Sequence, residues 1–184
     1  MAYPITKFCL FYPLNWIMIK KIKGENNILK NTKFIIVSNH EHLIDPMYLL
    51  QPILKKLNKK IHFLSSARWW FLGETICRKW AGCIPLFDRK QAYHESKKLI
   101  ESGEIIGIFP EGGLRRTKTP KTGAVRLALE TKTQILPIGL KSSYIPFNSA
   151  LNIGKPVHLK KKSNVKKQMS DLMKKVYRLR NSIH

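Results

Sequence analysis

The chain has 184 residues and carries 34 Lys and Arg against 11 Asp and Glu, a formal charge of +23 at pH 7. That length accommodates one compact domain with a sizeable core and leaves little room for a second, and 43% hydrophobic and 10% aromatic residues exclude a disordered polycation. An acidic or near-neutral protein is excluded too, so the charge points to polyanionic partners, nucleic acid or anionic lipid head groups, which charge by itself does not separate.

At the N-terminus Lys7 precedes an apolar stretch from Phe8 to Ile19, interrupted by Pro13 and Asn15 and followed by Lys20, Lys21 and Lys23. The stretch is too short to span a bilayer, which takes about 20 apolar residues. Lysines rather than small residues follow it, so it does not read as a cleaved export signal. Two readings stay open: an interfacial anchor with aromatics in lipid and lysines on head groups, or a first helix packed on the core. Cys9, Cys77 and Cys83 form no CxxC pair and read as reduced thiols of a cytosolic setting.

Gly24 to Asn27 is a turn, and Lys33 to Ser38 is a short β-rich apolar run that reads as a buried strand. Asp45-Pro46 offers a cap and a first helical residue for a helix from Met47 to Leu57, with Pro52 placed to shorten or kink it. Ile61 to Ser65 is the next strand, Arg68 to Trp80 a helix, Cys83 to Phe87 a short strand, and Gln91 to Ser102 a helix closed by Gly103. Ile105 to Phe109 is a strand, Ala124 to Thr131 a helix, and Gln134 to Leu140 a strand whose Pro137 suggests a sheet edge. Val157 to Lys160 reads as a last strand and Lys166 to Asn181 as an amphipathic helix. Strands alternating with helices predict an α/β fold, a single domain with a mixed, largely parallel sheet covered by helices and an N-terminal amphipathic membrane-binding helical element. The organisation expected is an N-terminal interfacial region over 1–23, an α/β domain over 24–160 and a basic C-terminal helix over 161–184. Functional residues of such sheets gather in loops beyond the strand ends.

Four blocks lie in such loops. The first, Ser38-Asn39-His40-Glu41-His42-Leu43-Ile44-Asp45, supplies a histidine and an aspartate five positions apart. On one helix that spacing rotates the side chains by about 140°, but a turn between them lets the carboxylate accept from one ring nitrogen and leaves the other to take a proton. A solvated histidine with a capping aspartate is the plainer alternative. A metal held by His40, Glu41, His42 and Asp45 lacks a further ligand of matching spacing, so none is expected. The second block, Pro110-Glu111-Gly112-Gly113-Leu114-Arg115-Arg116, follows a strand with two glycines and two arginines, an arrangement suited to an anion and equally to a solvated turn. Gly82 to Arg89 places an arginine beyond a short strand, and Leu136-Pro137-Ile138-Gly139 puts a proline inside an apolar one.

In this order and spacing, the NHxxxxD block, the GxxxxxDR block, the FPEG block and the final apolar-Pro-apolar strand resemble the glycerolipid acyltransferase family, whose best-known members acylate lysophosphatidic acid (1-acyl-sn-glycerol-3-phosphate). The resemblance runs from about Gly24 to Leu140. It implies His40 as general base and Asp45 as its orienter, acting on an acceptor hydroxyl that attacks the thioester of acyl-CoA or an acyl-carrier protein, with no further cofactor. No covalent acyl-enzyme is needed, in keeping with the lack of a GxSxG elbow. By the same resemblance Arg89 binds the acceptor phosphate and Glu111, Gly112 and Gly113 line the acceptor site. The family's usual Glu-Gly-Thr-Arg departs here to Glu-Gly-Gly-Leu, so Leu114 stands at the arginine position, with Arg115, Arg116 and Lys121 as neighbours able to substitute, or with a different acceptor alcohol.

The resemblance also implies membrane lipids and an anionic bilayer surface as partners, on the cytoplasmic face, with the apolar N-terminal stretch as a monotopic anchor. Trp69, Trp70 and Phe71 beside Arg68 suit either the same interface or the core. The tail from Lys155 to His184 adds ten Lys or Arg against one acid, Asp171. A nucleic-acid-binding module shares the charge but not the signature, because helix-turn-helix, RNA-recognition and zinc-finger patterns are missing and the basic residues are spread along the chain. A non-catalytic lipid-binding relative is the remaining alternative, disfavoured by the presence of both His40 and Asp45.

Overall fold

Five consecutive buried residues form strand β2 (Phe34–Ser38), and they alternate between two cores. Phe34 and Ile36 face one, Ile35 and Val37 the other, as the two-residue period of a strand covered on both faces requires. The computed structural model describes residues 12–30, 33–66, 73–114, 119–161 and 163–183. Within them β2 lies near the middle of a seven-stranded sheet. The other strands are β1 (Ile19–Lys23), β3 (Ile61–Ser65), β4 (Ile84–Pro85), β5 (Ile105–Ile108), β6 (Gln134–Lys141) and β7 (Ser149–Ile153), in the order β1-β7-β6-β2-β5-β3-β4. All pairs are parallel except β6–β7. The expected single α/β domain with a largely parallel sheet is what the chain adopts.

Helices α1 (Tyr12–Met18) and α2 (Asp45–Leu57) close one face, with Met18, Leu49, Leu50, Ile53 and Leu54 buried against Phe34, Ile36 and Leu136. Helices α3 (Arg89–Glu101), α4 (Gly123–Glu130) and α5 (Val165–Asn181) close the other. In α5 the buried Met169, Leu172, Met173 and Val176 repeat at three- and four-residue intervals, which makes one apolar stripe. That stripe lies close against β6. A Cβ built on Gly139 would stand 2.1 Å from the Arg180 amide nitrogen and 2.6 Å from the Leu179 carbonyl carbon, so only glycine permits the approach.

Several expectations are corrected. The helical region expected through residue 23 ends at Met18, and Ile19–Lys23 is a strand paired in parallel with β7. Its Ile-Lys-Lys-Ile-Lys sequence suits a sheet edge, where lysines keep other chains from adding on. The last strand is β7, and Val157 forms only an isolated antiparallel bridge with Ile135, because at the next bonding position of that ladder Thr133 N already donates to Ala128 O at 2.9 Å. Pro137 does not mark an edge, since β6 runs between β2 and β7. Its carbonyl accepts from Gly154 N at 2.9 Å at the very end of the β6–β7 ladder, so the missing N–H costs one terminal bond. Pro52 sits inside α2 without ending it. Thr75–Trp80 is helical with π-type bonding, and the Arg68–Phe71 cluster lies outside the described residues, as do Phe8, Cys9, Leu10 and Phe11. Among the described residues no helix is long and apolar enough to cross a membrane.

The close approach at Gly139 predicts that Gly139→Ala pushes α5 off the sheet. The expected result is a stability loss of about 1–3 kcal/mol together with faster amide exchange over residues 165–181, measured by hydrogen exchange at neutral pH.

Candidate active site

Strand β2 ends at Ser38, and the next side chain extends the sheet in place of a strand. Asn39 donates from Nδ2 to Leu140 O at 2.7 Å and accepts at Oδ1 from Leu140 N at 2.8 Å. This buried amide pairs with β6 as one more peptide unit would, and it frees the backbone of residue 40 to turn away. The sequence marks Asn39 only as part of a motif; its pairing across about a hundred positions is visible only in the fold.

The turn is held by one oxygen. Asp45 Oδ2 accepts from Glu41 N at 2.6 Å and His42 N at 3.0 Å, and it stands 3.0 Å from His40 Nδ1. Asp45 is the first residue of α2, but its side chain does not cap that helix; it reaches back to the loop before it. Two backbone amides already make Oδ2 an acceptor, so the ring donates from Nδ1, and Nε2 is the nitrogen that Asp45 does not hold. The aspartate side chain is fully buried while that of His40 is 15% exposed.

The plane of that ring is set by stacking. Phe109, just past β5, lies on His40 with centroids 4.2 Å apart and planes 16° apart, and Phe63 of β3 lies parallel to Phe109 at 5.6 Å. Behind the loop Glu111 Oε2 accepts from His40 N at 3.2 Å, and Glu111 Oε1 accepts from the Tyr177 hydroxyl of α5. The buried Glu111 therefore holds the backbone of His40 and the C-terminal helix together. Arg180, also on α5, pairs with Glu41. His42 Nδ1 meets Ser142 Oγ at 2.7 Å, beyond the end of β6. Of these side chains, His40 pairs with Asp45, Glu41 with Arg180 and His42 with Ser142. Tyr48, the fourth residue of α2, donates to Ser143 O at 2.8 Å, and burial pushes its hydroxyl above the ordinary tyrosine range.

Arg89, Gly112, Gly113 and Lys121 lie at the same end of the parallel strands. Gly112 adopts φ +72°, and a Cβ there would come within 2.3 Å of Lys121 Nζ, so the lysine lies across the glycine backbone. Lys121 N donates to Pro110 O at 2.8 Å, which closes the loop after β5. Gly113 and Leu114 are exposed beside it. Arg89 opens α3 after β4 and is exposed, and Asp88 caps that helix by accepting from Lys90 N at 2.7 Å. Arg115 and Arg116 lie outside the described residues.

Residues 20–141 match the family model described as Acyltransferase. The chain belongs to the acyltransferase family. It is 30% identical over 155 residues to a 1-acyl-sn-glycerol-3-phosphate acyltransferase of Borreliella burgdorferi, a match covering 74% of this chain and 59% of that protein. It is 28% identical over 156 residues to the protein of the same name from Bacillus subtilis, covering 75% and 73%. The chain therefore spans less than two thirds of the Borreliella relative's length. Its fold is similar to that of the crystal structure of the 1-acyl-sn-glycerophosphate (LPA) acyltransferase PlsC from Thermotoga maritima, with a TM-score of 0.73 at 20% identity over 95% of this chain and 77% of that one. The matched acyltransferase segment contains His40, Asp45, Arg89, Glu111, Gly112, Gly113 and Lys121, while Tyr177 and Arg180, which brace it, lie beyond its end.

Asn39→Ala strands the buried N–H and C=O of Leu140 together. A loss of about 2–4 kcal/mol is expected, read as a fall in unfolding midpoint in urea with an unchanged slope.

Proposed function

We propose that this acyltransferase transfers a fatty acyl group from an acyl thioester, acyl-CoA or acyl-carrier protein, to the hydroxyl of a lysophospholipid. The acceptor proposed is 1-acyl-sn-glycerol-3-phosphate and the product phosphatidic acid. The observation that carries the reading is the His40–Asp45 pair, whose geometry leaves Nε2 of a stacked, partly open imidazole as a proton acceptor. The names of the Borreliella and Bacillus relatives support the acceptor.

In this mechanism His40 Nε2 removes the acceptor hydroxyl proton as the oxygen bonds to the thioester carbonyl carbon. Collapse of the tetrahedral intermediate breaks the C–S bond, and the imidazolium returns the proton to the departing thiolate. Asp45 keeps the ring in the productive tautomer and stabilises the imidazolium. Glu111 accepts from His40 N and from the Tyr177 hydroxyl, and its proposed part is to hold the histidine, while the acceptor phosphate, an acceptor like the carboxylate itself, falls to Arg89, Lys121 and the amides around Gly112 and Gly113, with Arg115 and Arg116 as adjoining cations. A thioester donor and a lipid acceptor meet at the cytoplasmic face of a membrane, where the N-terminal segment and the excess of lysine favour anionic lipid. Leu114, exposed at the position where the family's arginine is expected, favours a second reading in which the acceptor is another glycerol or lipid alcohol.

Labelled acyl-CoA offered with lysophosphatidic acid, other lysolipids and glycerol 3-phosphate in detergent tests the reaction. His40→Ala is expected to lower product formation at least about 10²-fold with folding retained. Product that persists in the variant, or silence of the wild type with both kinds of thioester, overturns the proposal. On the same acceptor Lys121→Ala is expected to raise KM about 10-fold or more with kcat nearly unchanged, as for loss of a charge-assisted bond, whereas no change on a phosphate acceptor favours the second reading.

A further inference from the structure

The connection between β6 and β7 turns the usual arrangement of a surface loop inside out. Its polar groups bond inward: Ser143 N donates to Ser149 Oγ at 3.0 Å, Ile145 N to Ser143 Oγ at 3.0 Å, and Ser143 O accepts from Tyr48 and Ser149 hydroxyls at 2.8 and 3.1 Å. Its large apolar side chains, Tyr144, Ile145 and Phe147, point out. Phe147 holds φ +55°, a conformation uncommon for a bulky residue. Its amide donates to Ile17 O at 2.8 Å, which ties the loop to the end of α1. On the other side Tyr144 meets His42 edge-on at 4.8 Å, which ties it to the loop carrying Leu43 and His40. Trp16, Ile17, Leu43, Tyr144, Ile145 and Phe147 are each between 40% and 74% exposed, so three segments distant in sequence make one linked apolar face at the mouth of the site.

Single exposed apolar residues need no explanation, but a continuous, preorganised set does. We infer that this face docks on an anionic lipid bilayer, with the Tyr144–Phe147 loop entering the interface as a second membrane element beside the N-terminal segment. Aromatic and branched side chains on a rigid loop suit the head-group boundary. The charge around them fits one sign of surface only. Neither residues 1–24 nor residues 131–170 contain an Asp or Glu, and Lys20, Lys21 and Lys141 are exposed on the strands leading into the patch. A second copy of this chain would bring its own lysines against these. The inference deepens the proposed function by giving the lipid acceptor a route from the bilayer to His40, and it rests on that reading for the choice of a lipid partner.

Its test reads binding without turnover. The full chain is sedimented with vesicles of phosphatidylglycerol and phosphatidylcholine, and with vesicles of phosphatidylcholine alone, in the absence of acyl donor. The double variant Ile145→Ser with Phe147→Asn is expected to bind the anionic vesicles about tenfold or more weakly than the wild type, with its circular dichroism and unfolding midpoint retained, because asparagine accepts the positive φ. Separately, Ile145→Trp is expected to show blue-shifted fluorescence on vesicle addition and quenching by brominated acyl chains. Unchanged partition of the double variant, or an unshifted Ile145→Trp spectrum, overturns the inference even if acyl transfer is established. Wild-type dimers that the double variant dissociates, with equal vesicle binding, overturn it in favour of a second copy. Absence of acyl transfer by the wild type, with vesicle binding weakened in the double variant, sinks the reaction and leaves the docking face standing.

Discussion

Asp45 Oδ2 gathers two backbone amides and one imidazole nitrogen within 3.0 Å, and the geometry around it depends on that convergence. His40 and Asp45 stand five positions apart, a spacing that a helix would splay apart. A chain that must return three donors to one oxygen has to turn tightly, which places His40 beyond the strand and starts α2 immediately after the turn. The two amide bonds also decide the histidine tautomer, because an oxygen that already accepts twice leaves the ring only the donor's part. One carboxylate thus sets the loop, the helix start and the direction of the Nε2 lone pair.

A loop held from one side would still be free to rock, and the other side is supplied by α5. Tyr177 reaches Glu111, which in turn holds His40 N, and Arg180 reaches Glu41. Both contacts require the helix to lie against β6 at the distance that Gly139 allows. The segment matched by the family model ends at residue 141, so the helix that braces this loop comes from beyond it. Through these two bonds Glu111 joins the backbone of His40 to the C-terminal helix.

Much of this was readable before the fold was seen, and the misses have physical causes. Strands β2, β5 and β6 declare themselves by runs of Ile, Leu, Phe and Val, since a strand covered on both faces takes mostly apolar residues. Strands β1 and β7 do not. Ile-Lys-Lys-Ile-Lys reads as head-group lysines until its pairing with β7 is seen, and Ser-Ala-Leu-Asn-Ile is too small and polar to announce a strand. Both lie toward one margin of the sheet, where tertiary pairing outweighs local propensity. The meeting of His40 with Asp45 was legible because only a short turn joins them. The partners of Glu111 and Asn39 were not, because Tyr177 and Leu140 are 66 and 101 positions away, and no short pattern encodes contacts of that range.

The antiparallel pairing of β6 with β7 has a consequence at the mouth of the site. Parallel strands return through a crossover on a face of the sheet, which is how β2 reaches β3 through α2. Had β7 also run parallel to β6, the chain would have left the sheet's functional end and covered a face instead. Because β7 reverses, the connecting residues 142–148 must remain at the end where β2, β5 and β6 all finish, within reach of His42 and α1. An apolar sequence in that connection therefore borders the site by topology, without needing contacts to the reacting groups. The lysines of β1 follow the same logic: once β7 has turned back, β1 pairs with it at the outer edge, and Lys20 and Lys21 come to flank the apolar rim instead of the core.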